Sequence, residues 1–160
     1  RGVFLNVAKA LNKEVLGPDY EITVADLEAA QKLAGLEISE GDVVLIGTGW
    51  SKNWENKDLY QGQSLGTPGI GEAGAKWLAA KKPRACGGET IAFEHIPAGA
   101  GHRELPVHRV FLVESGIHII ETMKLDELAE TGVNEFLFVL TPLNLQGATG
   151  SPTRPLAVLV

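Results

Sequence analysis

Short apolar runs recur along the chain and are separated by polar or glycine-rich segments. Residues 43–46 are a continuous apolar run, which is typical of a strand covered on both faces. Similar runs predict further strands over 2–7, 85–92, 117–120, 135–140 and 156–160. Because these runs alternate with segments of helical spacing, the pattern predicts an α/β fold with a mixed sheet and flanking helices. The order of the strands does not follow from this pattern.

Three segments have the apolar spacing of amphipathic helices, over 24–34, 72–81 and 125–129. The first of them has clear boundaries: Thr23 and Asp26 match a capping box, and Gly35 lies where a left-handed residue would end the helix. Residues 50–71 lack any period and are rich in glycine and aromatic residues. This segment is predicted to be a long loop on which Trp50 and Trp54 either wall a pocket or pack onto the core.

Residues 106–121 carry the candidate chemistry. Pro106 suits the start of a short helix, Gly116 suits its end, and the β-branched run after Gly116 predicts a strand that ends at Glu121. A strand that folds back along the helix would bring His108 and Glu121 together. Such a pair could bind a metal ion or act as acid and base, although a histidine at a helix start is often only a surface residue.

Composition narrows the class of partner. The 160 residues are 44% hydrophobic and 21% charged, which is ordinary for one globular domain with its own core. A net charge of −6 argues against nucleic acid or an anionic membrane as the partner, because both are bound through clustered lysine and arginine. The single cysteine, Cys86, allows no internal disulfide and gives no sign of an oxidising compartment, so a cytoplasmic location is expected.

Residues 1–160 are predicted to form a single domain. The chain begins within an apolar run, and its only methionine is Met123. We therefore expect it to be the C-terminal portion of a longer protein.

Several stretches, taken in order, resemble one family, the metal-dependent hydrolases of the cyclase family, to which kynurenine formamidases and isatin hydrolases belong. The matching stretches are G-V-F-L-N-V (2–7), D-V-V-L-I-G-T-G-W (42–50), P-G-I-G-E-A-G-A-K-W-L (68–78), P-V-H-R (106–109), G-I-H-I-I-E (116–121), E-F-L-F-V-L-T-P-L (135–143) and G-A-T-G-S-P-T-R-P (147–155). Each stretch is short, but the ordered set is specific.

The resemblance implies a swivelling β/β/α-type fold and a divalent metal, Zn²⁺ or Mn²⁺, which activates water to open an aryl or cyclic amide, a lactam or a related ester. His108 and Glu121 fall on the His and Glu that hold or approach a second metal in dinuclear members of the family, and His108 is also the implied catalytic residue. The primary H-x-x-x-H-x-D-like ligand motif does not occur in this chain. The resemblance thus implies that a missing N-terminal region of the same protein supplies it, and that the protein forms a homo-oligomer.

Two other functions remain open at this point. The chain could be a catalytically incomplete module that acts in association, since it lacks the primary motif. It could also bind a small anion through the glycines of 147–155, but no Gly-Lys-Ser/Thr sequence follows to support a phosphate loop. In the hydrolase interpretation, Trp50 and Trp54 would form the apolar wall for a planar substrate.

Overall fold

The computed structural model describes residues 1–159 and contains a six-stranded mixed sheet flanked by helices, as predicted. The strands, in chain order, are β1 (Gly2–Asn6), β2 (Glu21–Ile22), β3 (Val43–Gly47), β4 (Gly69–Ile70), β5 (Ala85–Gly88), β6 (His118–Ile120), β7 (Glu135–Val139) and β8 (Leu156–Val158). The large sheet has the order β6-β5-β3-β1-β7-β8, and β2 pairs with β4 in a separate small sheet.

Four strands of the large sheet run parallel, and a hairpin extends it on one side. β6, β5, β3 and β1 pair in parallel, whereas β7 is antiparallel to β1 and β8 is antiparallel to β7. The carboxyl ends of the four parallel strands therefore lie along one edge. In open α/β sheets this edge is where ligand sites are usually built.

Helices cover the sheet. Its side chains alternate between two faces, and each face carries apolar side chains that are buried. They are α1 (Val7–Ala10), α2 (Val24–Ala34), α3 (Lys57–Gln61), α4 (Glu72–Ala79), α5 (Pro106–His108) and α6 (Asp126–Thr131), with a 3₁₀ turn at Trp50–Asn53 and a π-helix at Arg109–Ser115. Val44 and Ile46 pack on the face covered by α2, α4 and the π-helix, while Leu45 packs on the other face with residues around α6. Within residues 1–159, no helix is long and apolar enough to span a membrane.

The first predicted helix has the predicted boundaries. α2 covers Val24–Ala34, the Thr23 and Asp26 side chains make the reciprocal bonds of a capping box, and Gly35 ends the helix with a φ of 68°. The predicted loop 50–71 differs, because it contains the 3₁₀ turn and α3. The strand predicted over 85–92 ends at Gly88, where its pairing with β3 stops, and the next residue, Glu89, has its side chain in a buried hydrogen-bond network.

The ends of the chain follow the prediction with small differences. β1 ends at Asn6, because Val7 begins α1, whose cap is the Asn6 side chain accepting from Lys9 N–H. The strand predicted over 156–160 is observed as Leu156–Val158, and residue 160 lies outside the described part of the chain.

The small sheet holds the chain next to Glu94 through a close backbone contact. Ile70 forms a bridge with Glu94, and the amide of His95 donates to the carbonyl oxygen of Ile70 at 3.0 Å. A Cβ on Gly69 would lie 2.3 Å from the carbonyl carbon of Glu94 and 2.5 Å from the amide nitrogen of His95. Only glycine allows this approach without a shift of the Glu94 backbone.

We predict that Gly69→Ala lowers the free energy of unfolding by about 1–3 kcal/mol, the usual cost of forcing extra atoms into a packed site. Urea unfolding would measure it. Gly17→Ala is the matched control, because a Cβ there meets no atom within 4 Å and should change stability by less than about 0.5 kcal/mol. Equal stability of the two variants would show that the 69–94 contact is not tight.

Candidate functional site

His108 lies where α5 continues into the π-helix. Pro106 occupies the first turn, so its lack of an N–H costs no helical bond, and Gly116 ends the π-helix with a φ of 66°. Val107, Val110 and Phe111 are buried against the sheet and hold the segment in place. The His108 side chain keeps 25% of its surface exposed, so it can be reached from solvent. π-helical turns are rare and are often found at functional sites.

Glu94 is the first partner of His108, and its side chain is only 1% exposed. His108 Nδ1 lies 2.6 Å from Glu94 Oε1, which also accepts the backbone N–H of His108 at 3.1 Å. The other oxygen, Oε2, accepts the backbone N–H of Val107 at 3.0 Å. Three donors therefore converge on one buried carboxylate, which compensates for the loss of its hydration.

Glu121 is the second partner and comes directly after β6. Its Oε1 lies 3.2 Å from His108 Nε2, and its side chain is 35% exposed. The structure thus brings His108 and Glu121 together, with a second carboxylate on the opposite side of the ring. The hydrogen bonds to Glu121 and then to Glu94 outweigh the opposing effect of burial and raise the pKa of His108 to about 9.

Both carboxylates adjoin a residue in a left-handed backbone conformation. Phe93 has a φ of 60°, in a tight turn where the amide of Glu94 donates to Ala92 O, and Thr122 has a φ of 59°. Such angles are costly for residues with a branched or bulky side chain and persist only where the surroundings enforce them. The backbone beside each of the two carboxylates is therefore held in a costly conformation by its surroundings.

A second buried carboxylate, Glu89, organises the aromatic loop. Thr48 donates to it from N–H and from Oγ1, at 2.5 and 2.6 Å, and Ser51 donates from Oγ at 2.5 Å. The Ser51 hydroxyl also contacts the Asp126 carboxylate. The Tyr60 hydroxyl donates to the Glu89 carbonyl oxygen at 2.5 Å, and burial, followed by the Glu89 charge, raises the pKa of Tyr60 to about 12.

The two predicted substrate-binding tryptophans occupy different environments. Trp50 is fully buried, and its Nε1 donates to the Tyr60 carbonyl oxygen at 3.1 Å. Trp54 is 43% exposed and packs edge-on against Tyr60 at 5.1 Å between ring centroids. Trp50 thus anchors the loop and presents almost no surface to solvent. Only Trp54 offers an accessible ring.

The other three histidines lie outside this arrangement. His95 contacts Asp19 at 3.1 Å from Nε2, and His102 and His118 are exposed. The glycine-rich segment 147–155, weighed above as an anion site, is also largely exposed.

Sequence analysis missed Glu94 because it lies in a segment without hydrophobic periodicity. The available signal was its position at the end of the short apolar run Ile91-Ala92-Phe93, where a charged residue needs a partner to be buried.

His108 and Glu121 are of the correct chemical type to bind a divalent cation, but they are only two ligands. In the part of the chain that the structure describes, no three His, Cys, Asp or Glu side chains are arranged to hold a metal ion. A catalytic zinc usually has three protein ligands and one open position. His108 and Glu121 alone therefore do not make up the ligand set of a catalytic zinc.

We predict a pH-dependent stability that arises from His108. Because its pKa is about 9 when folded and about 6.5 when unfolded, its contribution is complete below pH 6.5 and is lost as the pH rises through 9. The free energy of unfolding of the wild type minus that of His108→Gln should fall by about 2–3 kcal/mol between pH 6 and pH 10. A difference that does not change with pH would contradict the pairing of His108 with its carboxylates. His118→Gln is the control: His118 is exposed, so the difference between the wild type and this variant should not change with pH.

Comparisons with known proteins place this chain among relatives of similar fold. Isatin hydrolase of Roseibium aggregatum is 26% identical over 158 residues, which cover 97% of this chain and 59% of that protein. The crystal structure of a cyclase superposes with a TM-score of 0.87 at 30% identity, covering 98% of this chain and 53% of the other. Isatin hydrolase A from Labrenzia aggregata, solved with benzyl benzoate, superposes with a TM-score of 0.78 at 25% identity, covering 99% and 60% of the two chains.

The chain therefore spans a little over half the length of the relatives it matches. The sequence pattern of the family described as "Putative cyclase" matches residues 1–95. Since this match includes more than half of the chain and the fold agrees over nearly all of it, the chain belongs to the cyclase family.

Proposed function

We propose that this chain is part of a metal-dependent hydrolase that opens an aryl or cyclic amide or lactam. The observation that carries the proposal is the His108 imidazole held between Glu94 and Glu121 at the carboxyl edge of the sheet. The names of the relatives, which include isatin hydrolases and metal-dependent hydrolases, support the same class of reaction. In this reaction water adds to the carbonyl carbon, the C–N bond breaks, and a carboxylate, an amine and a proton are formed.

His108 Nε2 and Glu121 would hold the cation, Zn²⁺ or Mn²⁺, because imidazole and carboxylate are suitable ligands for both. Such a cation, when bound, supplies the activation of water at neutral pH. The remaining ligands are assigned to a region of the same protein outside these 160 residues, since the described residues do not complete a site.

The residues of this chain have distinct parts in that proposal. His108 must lose the proton on Nε2 before this nitrogen can accept a cation, and its pKa of about 9 makes the cation compete with that proton at neutral pH. Metal affinity should therefore rise with pH up to about 9. Trp54, the accessible aromatic ring on the loop fixed by Glu89, would be the apolar wall for a planar substrate. A homo-oligomeric assembly stays a prediction.

We predict that His108→Ala in the full-length protein lowers bound metal and reduces kcat at least ~10²-fold, the lower end of acid/base contributions. Metal content would be measured by mass spectrometry after dialysis, and turnover with isatin and a set of aryl formamides. His118→Ala is the matched control on the same short segment. Its side chain is exposed on β6, so metal content and kcat should stay at the wild-type level.

Two outcomes would contradict the proposal. If both variants keep metal and turnover, the site is built from other residues. If the wild-type full-length protein binds no divalent cation and hydrolyses none of the amides, the chain is a non-catalytic member of its family.

A further inference from the structure

Glu94 has a property that distinguishes it from Glu121, although both carboxylates face the same ring. Its contact with His108 is shorter, at 2.6 Å against 3.2 Å, and its side chain is 1% exposed against 35%. A charge-assisted hydrogen bond is stronger when it is short and removed from water. When the ring carries a single proton, this proton can face only one of the two carboxylates. The shorter distance and the deeper burial both favour the hydrogen bond to Glu94. The proton then stays on Nδ1.

We propose that Glu94 is a positioning residue that fixes the proton of neutral His108 on Nδ1, so that the Nε2 lone pair faces Glu121 and is free to bind a cation. The inference rests on the proposed function for the identity of that ligand. The tautomer itself is a property of this chain alone. Carboxylates that orient metal-binding histidines in this way are common in metalloproteins, and their loss weakens metal binding about 10–100-fold.

The surroundings of Glu94 keep its carboxylate from turning away. Oε2 is held by the backbone N–H of Val107, and Oε1 by the backbone N–H of His108. The Glu94 backbone is held by the turn at Phe93 and by the close approach of Gly69. The carboxylate is therefore fixed relative to the helix that carries the ring, which is the condition for selecting one tautomer.

The chemistry requires a carboxylate and not merely a polar group. An amide at this position has one accepting oxygen and one NH₂ donor, whereas the three groups around Glu94 are all donors. In Glu94→Gln the NH₂ group must face either the backbone N–H of Val107 or both the backbone N–H and the Nδ1–H of His108. A simpler role would be that of a helix cap, in which Glu94 accepts the two backbone N–H groups and the tautomer of His108 is incidental.

The test uses the full-length protein. Nitrogen-15 NMR of the His108 ring, recorded without metal at a pH above the ring's own measured titration, reports which nitrogen of the neutral ring carries the proton. We expect the proton on Nδ1 in the wild type and a mixture of tautomers in Glu94→Gln, together with a zinc affinity about 10–100-fold lower by competition with a chelator. Glu89→Gln is the matched control, since Glu89 is equally buried and also accepts several donors. It should lower stability without moving the tautomer or the affinity.

A wild-type tautomer and wild-type zinc affinity in a less stable Glu94→Gln protein would reduce Glu94 to a helix cap and overturn the inference. Glu121→Gln keeps the inference testable if Glu94→Gln does not fold, because Glu121 is partly exposed and Glu94 remains intact. The proton should stay on Nδ1 in Glu121→Gln, and a proton on Nε2 would overturn the inference. Failure of the proposed function is distinguishable, since a wild type that binds no zinc would still report its tautomer.

Discussion

The structure depends on the burial of one negative charge beside one histidine. Glu94 is almost completely removed from water, and an unpaired carboxylate in that position would be too costly for a domain of marginal stability. The three donors supplied by Val107 and His108 compensate for that cost and at the same time orient the imidazole. Apolar packing of α5 and the π-helix, the turn at Phe93 and the close contact at Gly69 hold these groups in place.

The sheet brings the two halves of the site to one edge. β5 leads into the segment that carries Glu94, and β6, its parallel neighbour, ends at Ile120, directly before Glu121. After Glu121 the chain returns to the end of β5, since the amide of Thr122 donates to Thr90 O at 3.0 Å and that of Met123 to Gly88 O at 3.1 Å. The two carboxylates are thereby fixed to adjacent strands. The same edge carries Glu89, which fixes the loop of Trp50 and Trp54.

The sequence predicted those parts of this arrangement that depend on patterns of neighbouring residues. The limits of α2 followed from Thr23, Asp26 and Gly35, and the meeting of His108 with Glu121 followed from a short helix that precedes a strand. Glu94 and Glu89 were not reached, because a buried carboxylate is recognisable only when its donors are known. Those donors are backbone N–H groups and hydroxyls distant in sequence, such as Thr48, which lies 41 positions from Glu89. The burial of Trp50 likewise depends on Tyr60, in a helix that the pattern did not reveal.

The most direct test of this account is the position of the metal in the full-length protein. Crystals grown with zinc, with diffraction recorded on both sides of the zinc absorption edge, would locate the ion without assumptions about its ligands. The account predicts an anomalous peak about 2.0–2.1 Å from His108 Nε2 and within bonding distance of a Glu121 oxygen, with Glu94 still on Nδ1. A zinc ion held elsewhere, with the imidazole still between its two carboxylates, would contradict it.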